Sequence, residues 1–343
     1  MDAKRDDTRA AVGVVAIGRN EGERLRRCLE SLREQCAHIV YVDSASQDGS
    51  PALARGLGVE VVDLDLSIPF TAARARNEGL RRLRQLRPDL EFVQFIDGDC
   101  ELVSGWIAKG LAPLLQRKEL AVTCGRVRER FRQATIYNRL ADLEWNTPVG
   151  EIEACGGIAL MRVAAFESVG GFDADILAGE EHELCSRLRA RGFKVLRIDA
   201  EMVLHDAAMT RMVQWWRRTV RTGYGLAESI ARPGPAQPTD VRRARSVVTW
   251  GVVFPALVVL GLVLAAQSSS LPVLLLVVGG AAALLIAQAL RIALKRRSPG
   301  ENAADAALYA AGCMAGMLPQ SIGMLRYLEQ RLRRRRAQLH EYK

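Results

Sequence analysis

The first hundred residues alternate short apolar runs with longer segments in which apolar positions recur every three or four residues. VGVVAIG (12–18), HIVYVD (38–43), VEVVDLD (59–65) and EFVQFID (91–97) read as buried strands. Between them EGERLRRCLESLRE, SPALARGLG and TAARARNEGLRRLRQL read as helices. Alternation at this spacing predicts an α/β domain with a mostly parallel, Rossmann-like central sheet and helices on both faces. Ligands of such sheets bind beyond the carboxyl ends of the strands. Asp43 and Asp97 end two of the strands, so both are expected to face one crevice.

The pattern is less regular between residues 100 and 200. LAVTCGRV (120–127) and GGIALM (156–161) are strand-like, GGFDADILAG reads as a loop, and EEHELCSRLRARG reads as a helix ending at Gly192. KVLRID and EMVLHD are expected as two closing strands. A long basic and aromatic helix is expected over 210–231, ended by the Pro/Gly-rich RPGPAQP, where the domain boundary falls.

The chain then changes character. From Ser246 to Leu290 no residue is charged, and 247–266 and 271–290 are each long enough to span a hydrocarbon core. Arg242, Arg243 and Arg245 precede the first run, and Arg291, Lys295, Arg296 and Arg297 follow the second. A two-span hairpin puts both basic clusters on the cytoplasmic side; a buried core hairpin of a soluble protein is the blander reading. Further on, Leu318, Ile322, Leu325, Leu328 and Leu332 recur at helical spacing, which suggests an amphipathic helix lying on the cytoplasmic leaflet. A solvated helix packed on the catalytic domain fits the same spacing. The expected organisation is thus an α/β domain over 1–232, a linker over 233–245, two transmembrane helices within 246–297, and a re-entrant or interfacial segment with a basic tail over 298–343.

Charge and cysteine usage narrow the partners. The net charge of +9 owes five arginines to RLRRRR (331–336). This basic excess flanks apolar runs, which favours an anionic membrane surface over nucleic acid. Seven scattered cysteines with no C-x-x-C pair argue against a zinc site or a disulfide framework and fit a reducing compartment. The polar start MDAKRDDTRA is not a secretory signal, so the α/β part is expected to stay in the cytoplasm.

Candidate chemistry gathers at the strand ends. Two acids separated only by Gly98, Asp97 and Asp99, close the strand EFVQFID. Like charges this close repel unless a cation or a donor-rich ligand joins them. As a clamp, one carboxylate holds a divalent cation and the other accepts from a ribose hydroxyl; as a turn, both are simply solvated. Oxygen ligands point to Mg2+ or Mn2+, and a histidine ligand, for which His205 is the candidate, tilts the choice to Mn2+. Asp43 is placed to accept from a nucleobase N–H, whereas Asp48 or Ser46 may serve only as turn and helix caps. Glu180 and Glu181 open a helix, where acids are favoured by its dipole. One of them can also act as a general base, its pKa raised by the other.

Taken in order, DSASQDGS, ARARNEG, DGD, GGFDADILAGEEHELCSRL and VLHD resemble the family 2 glycosyltransferases of GT-A fold, over roughly residues 12 to 206. The resemblance implies metal-assisted, inverting transfer of a sugar from a nucleotide diphosphate sugar (a UDP- or GDP-sugar). It implies a donor site of Asp43 for the base, Asp97 for the ribose, and Arg76 and Asn77 in the pocket. Asn20 and Glu21 match the end of the family's first loop, and Asp48 belongs to its second. Asp99 and His205 would hold the metal. Glu181 stands at the catalytic Asp of the family's ED motif, with Glu180 able to share the role. Two departures are the first loop, IGRNE, which lacks the usual proline, and Glu in place of Asp as base. The apolar C-terminal part resembles membrane-anchored bacterial members that build exopolysaccharides, which implies a lipid-linked or glycan acceptor. Trp215, Trp216 and Arg217 are expected near that acceptor, at the lipid surface, or packed against the sheet.

Three other activities fit less well. A nucleotidyltransferase would need a glycine-rich basic loop where GRNEGERL stands. A processive synthase would need Q-x-x-R-W and several spans, and QWWRR has Arg218 at the Trp position. A polyprenyl-phosphate glycosyl synthase remains the main alternative, since its phosphate acceptor needs no base. A non-catalytic membrane scaffold would give no reason to keep the acids and His205 together.

Overall fold

The computed structural model describes residues 12–65, 67–68, 70–232, 238–296 and 301–333. It divides into two compact units, Met1–Arg132 with Trp145–Ala207, and Gln133–Glu144 with Ala208–Lys343.

The first unit begins β1 (Val12–Gly18), α1 (Glu23–Arg33), β2 (His38–Asp43), α2 (Ser50–Gly56), β3 (Glu60–Asp63), α3 (Ala72–Leu86) and β4 (Phe92–Asp97). A tight turn leads to β5 (Cys100–Leu102), followed by α4 (Trp106–Gln116) and β6 (Leu120–Glu129). The chain leaves as α5 (Ile136–Trp145), most of which belongs to the second unit. It returns as β7 (Gly150–Ile152), β8 (Ala159–Arg162), α6 (Val163–Ser168), α7 (Glu180–Ala190) and β9 (Lys194–His205).

The nine strands form one sheet in the order β3-β2-β1-β4-β8-β6-β9-β5, with β7 on β9. The expected parallel pairing holds from β3 to β4. Beyond β4 the sheet is mixed: β8 runs antiparallel to both β4 and β6, and β5 and β7 run antiparallel to β9. KVLRID and EMVLHD are one strand rather than two, because β9 keeps pairing with β6 through three register shifts. The central strands are dry on both faces, as expected of near-continuous apolar runs covered by helices. Gln94, the polar residue inside β4, is satisfied there: it accepts from Trp106 Nε1 at 2.8 Å and donates to the Phe95 carbonyl.

The second unit is helical: the α5 segment, α8 (Met212–Ala231), α9 (Pro238–Val248), a π-helical turn (Thr249–Val253), α10 (Phe254–Ser268), α11 (Leu271–Lys295), α12 (Ala303–Ala315) and α13 (Met317–Leu332). The stretch expected as a linker is helical from Pro238 onward, and its first part, 233–237, lies outside the described residues, as do 297–300 and the basic tail 334–343. From Pro238 to Ser268 the helix is continuous over 31 residues, and α11 has 25; both are long and apolar enough to cross a membrane. Their leucines and valines, among them Leu257, Val259, Leu275 and Leu276, are exposed rather than packed in a core, which excludes the buried hairpin of a soluble protein.

α13 packs on α8 at backbone distance. A Cβ on Gly223 would lie 2.0 Å from the Gln320 carbonyl oxygen, and one on Gly323 would lie 2.0 Å from that of Val220. Small residues permit such an approach between helices. The buried face of α13 consists of Pro319, Gln320, Ser321 and Gly323, while Leu318, Leu325, Leu328 and Leu332 are exposed.

Candidate active site

Register brings the first acids together. Gly18 of β1 pairs with Asp43 of β2, and Ile17 pairs with Asp97 of β4, so both carboxylates stand at the carboxyl edge of adjacent strands. Asp43 is buried and accepts three hydrogen bonds: from Tyr41 Oη at 2.9 Å, from Ser46 Oγ at 2.5 Å and from the Ser46 amide at 2.7 Å. Burial first, and the Asp43 charge second, push the Tyr41 phenol well up, so it stays a donor. Asn20, in a left-handed conformation, ties the loop down. Its amide donates to Ser46 Oγ at 2.8 Å, and its side-chain oxygen accepts from the Gln47 amide at 2.7 Å.

Three residues of the predicted donor set are engaged by the scaffold. Just before α2, Asp48 accepts from the amide and hydroxyl of Ser50, the turn role open to it from sequence, while Gly49 stands at the helix cap. Glu21 is buried, ion-paired to Arg24 at 2.8 Å, and packed against Gly98. The Asn77 amide both donates to the Phe172 carbonyl at 2.7 Å and accepts from the Phe172 amide at 3.0 Å. It therefore fixes the GGFD loop, and its polar atoms are used there.

The turn between Asp97 and Asp99 is tight at Gly98. A Cβ on Gly98 would lie 3.2 Å from the Ile17 carbonyl oxygen and 3.3 Å from Glu21 Cγ. The turn aims the next strand, β5, antiparallel along β9, so that Cys100 pairs with His205. Asp99 and His205 thereby meet, both buried, at the end of β9, with Oδ2 3.5 Å from Nε2. Behind the ring, Glu129 Oε2 lies 3.9 Å from His205 Nδ1, and the Trp145 edge packs on it with centroids 4.6 Å apart. Glu129 is held by amide donors from Phe131 and Ala207.

Donor atoms of Asp99, Cys100 and His205 lie within 4.8 Å of one another. Burial, then the Asp99 and Asp97 charges, push the Cys100 thiol well above its usual range, so the sulfur stays protonated and offers little to a hard cation. A carboxylate and an imidazole, with a second carboxylate behind the imidazole, fit Mn2+ or Mg2+. Diphosphate and water oxygens would complete such a sphere.

Glu180 is joined to this edge by Arg76. On α3 and buried, its guanidinium donates to Glu180 Oε1 at 2.5 Å and to Asp97 Oδ1 at 2.8 Å, beneath the Phe172 ring. A Cβ on Gly157 would lie 2.5 Å from Arg76 Nη2, so the EACGG segment closes over it. Burial opposes the Arg76 charge, but Asp97, Glu180 and Glu181 together outweigh it and raise its pKa. Glu180 and Glu181 open α7, which starts at Gly179 in the left-handed conformation. Glu181 carries no ion pair of this kind. Its carboxyl is pushed up to about 8, by burial first and the Glu180 charge second, with Arg76 acting the other way.

The second unit contains Trp215, Trp216 and Arg217, all on α8. Trp215 is buried with its ring centroid 6.5 Å from that of Tyr137, so it packs on α5. Positions 215, 219, 220 and 223 form the buried face of α8, which takes Trp215 inward. Trp216 is half-buried and Arg217 exposed.

Glu129, Trp145 and the Arg76–Glu180 pair escaped the sequence reading. Glu129 ends a strand, as Asp43 and Asp97 do, and that was its only local signal; its pairing with His205 is a matter of β6–β9 register.

Known proteins resemble parts of this chain. The pattern described as glycosyl transferase family 2 matches residues 14–170. The succinoglycan biosynthesis protein ExoA of Rhizobium meliloti is 26% identical over 269 residues, 69% of this chain and 78% of that protein. A pre-mycofactocin glycosyltransferase of Mycobacterium tuberculosis is 26% identical over 255 residues, 70% of this chain and 52% of its own length. A TPR repeat-containing protein of Synechococcus elongatus is 30% identical over 139 residues, 40% of this chain but only 32% of that protein. Among solved structures, a mannosyltransferase from Pyrobaculum calidifontis in complex with GDP-Man and Mn2+ superposes with a TM-score of 0.59. That likeness, at 19% identity over 93% of this chain and 87% of the other, is one of fold. The family match stops before Glu180, Glu181 and His205, which the sheet and α7 bring to the same edge. Residues 14–170 thus match glycosyl transferase family 2, in an α/β unit of GT-A-type fold that is followed by two helices long and apolar enough to cross a membrane.

Proposed function

We propose that the chain transfers a sugar, with inversion, from a nucleotide diphosphate sugar to a hydroxyl of a lipid-linked acceptor at the cytoplasmic face of the inner membrane. The observation that carries this reading is the Arg76 bridge, which ties the donor-side Asp97 to the Glu180–Glu181 pair. Asp43, held by three donors, is oriented to accept from a base N–H, and Asp97, with a side chain 35% exposed, can accept from the ribose. Asp99 and His205 would hold Mn2+ or Mg2+, which when bound supplies positive charge to the leaving diphosphate.

Glu180 is neutralised by Arg76, which leaves Glu181 as the base. Its raised proton affinity suits removal of a proton from a hydroxyl. The same feature favours a hydroxyl over a polyprenyl phosphate, which arrives already ionised. Glu181 takes the hydroxyl proton as the oxygen attacks the anomeric carbon, on the face opposite the departing nucleoside diphosphate.

The two apolar helices are read as spans with their basic ends in the cytoplasm. α13 is read as resting on the leaflet, since its leucine stripe is exposed and its polar face is packed. Homology to ExoA supports an acceptor in polysaccharide assembly. The test is a panel of UDP-, GDP- and dTDP-sugars with Mn2+ or Mg2+, read as donor hydrolysis and as transfer to membrane lipid extracts. Absence of metal-dependent turnover with every donor overturns the reading.

A further inference from the structure

A cavity of about 410 Å³ opens between the two apolar helices at their basic ends. One wall is the junction of α9 with the π turn, which brings Arg245, Thr249 and Trp250; the other is α11, which brings Gln288, Arg291 and Lys295. Gln288, Arg291 and Lys295 follow each other at i, i+3 and i+7, so they share one helix face. No acidic residue lines the cavity among the described residues. Three cations are thus gathered beside a hydroxyl, an amide and an indole, with no countercharge from the walls.

The surroundings narrow the ligand. Val252, Leu257, Leu284 and Leu285 on the same helices are exposed, so a molecule in the cavity has apolar surface running away from it in the direction a bilayer would extend. Trp250 is half-buried, and tryptophan prefers the level of the headgroups. The π turn is a second, independent sign. Such turns are rare and gather at functional sites, and this one supplies two of the lining residues. Its Gly251 is pressed against α13, where a Cβ would lie 2.5 Å from the Met317 carbonyl oxygen.

We infer that this cavity binds the headgroup of an anionic phospholipid of the inner leaflet carrying two phosphates, of the diphosphatidylglycerol class. Three uncompensated cations exceed the charge of a single phosphodiester, and basic pockets between membrane helices suit such headgroups. Arg245 approaches from one wall and Arg291 and Lys295 from the other, so two phosphates joined by a glycerol can be held at once. The inference rests on the reading of the two helices as membrane spans.

The test is native mass spectrometry of the full chain released from phosphatidylcholine nanodiscs. These are doped in separate arms with diphosphatidylglycerol, phosphatidylglycerol or a polyprenyl diphosphate. The wild type should retain diphosphatidylglycerol over the other lipids. The variant R245Q/R291Q/K295Q should lose it roughly a hundredfold, each cation near an anionic surface being worth about fivefold. Arg242→Gln, which removes a nearby charge outside the cavity, should retain it, and R245K/R291K should retain most of it. Equal retention by the triple variant, or preference of the wild type for polyprenyl diphosphate or phosphatidylglycerol, overturns the inference. Washing membranes with alkaline carbonate separates the two levels. A wild-type chain that is washed off defeats the membrane reading itself, whereas one that stays but shows no lipid preference defeats only the headgroup site.

Discussion

Arg76 and Glu180, 104 residues apart in the chain, meet in a buried pair whose Nη1 and Oε1 are 2.5 Å apart. The pair has a chemical consequence. It occupies one of two adjacent acids and leaves its neighbour, Glu181, as the group that can accept a proton.

Glu181→Gln is expected to keep donor affinity while lowering transfer by roughly 10²- to 10⁴-fold, the range for loss of a general base. Donor titration by calorimetry and single-turnover transfer measure the two separately. Glu180→Gln should lose less in transfer and more in stability.

Arg76→Met leaves Glu180 as an uncompensated buried carboxylate beside the partly exposed Asp97. Breaking such a pair from one side costs about 3–5 kcal/mol, so thermal unfolding should move down by several degrees. Arg76→Lys keeps the charge but cannot fork to both acids, so it should recover stability only in part.

The pH dependence follows from the Glu181 carboxyl, pushed up to about 8. A base must be ionised to act, so transfer to a hydroxyl acceptor should rise with pH and level off near that value. Stability runs the other way. The folded state holds this proton where the unfolded chain, titrating near the ordinary Glu value, has already lost it. Folding is therefore weakened progressively as pH rises from about 4.5 towards 8. Unfolding midpoints across that window should fall more steeply for the wild type than for Glu181→Gln.

Removal of metal with EDTA should abolish transfer, and Asp99→Ala should do so with metal present. Glu129→Gln tests the carboxylate behind His205. Loss of a carboxylate partner behind a metal-ligating histidine typically weakens affinity about 10- to 100-fold, to be read from Mn2+ titrations by electron paramagnetic resonance. Unchanged Mn2+ affinity in both Asp99→Ala and His205→Ala would remove the metal from this position.

In the helical unit, Gly323→Leu should separate α13 from α8, because the added side chain starts 2.0 Å from the Val220 carbonyl oxygen. Overpacking of this kind costs about 1–3 kcal/mol or more, measurable as a lower unfolding midpoint in detergent.

Much of this protein is written locally. Apolar runs ending in Asp43 and Asp97 report strands that open at one edge, because burial on both faces requires an unbroken apolar run and a carboxylate stops it. Forty-five residues without charge, bracketed by arginines and lysines, report two helices that solvent would not keep exposed. The sequence by itself therefore determined the element order as far as β4, the acidic edge and the apolar hairpin. It could not determine strand direction beyond β4, since alternation carries no sign for a strand that returns after a long excursion. Nor could it pair Arg76 with Glu180, seat Glu129 behind His205, or turn Trp215 inward. Those depend on which strands and helices abut, and only the closed sheet and the packed helix faces bring such distant side chains within reach of one another.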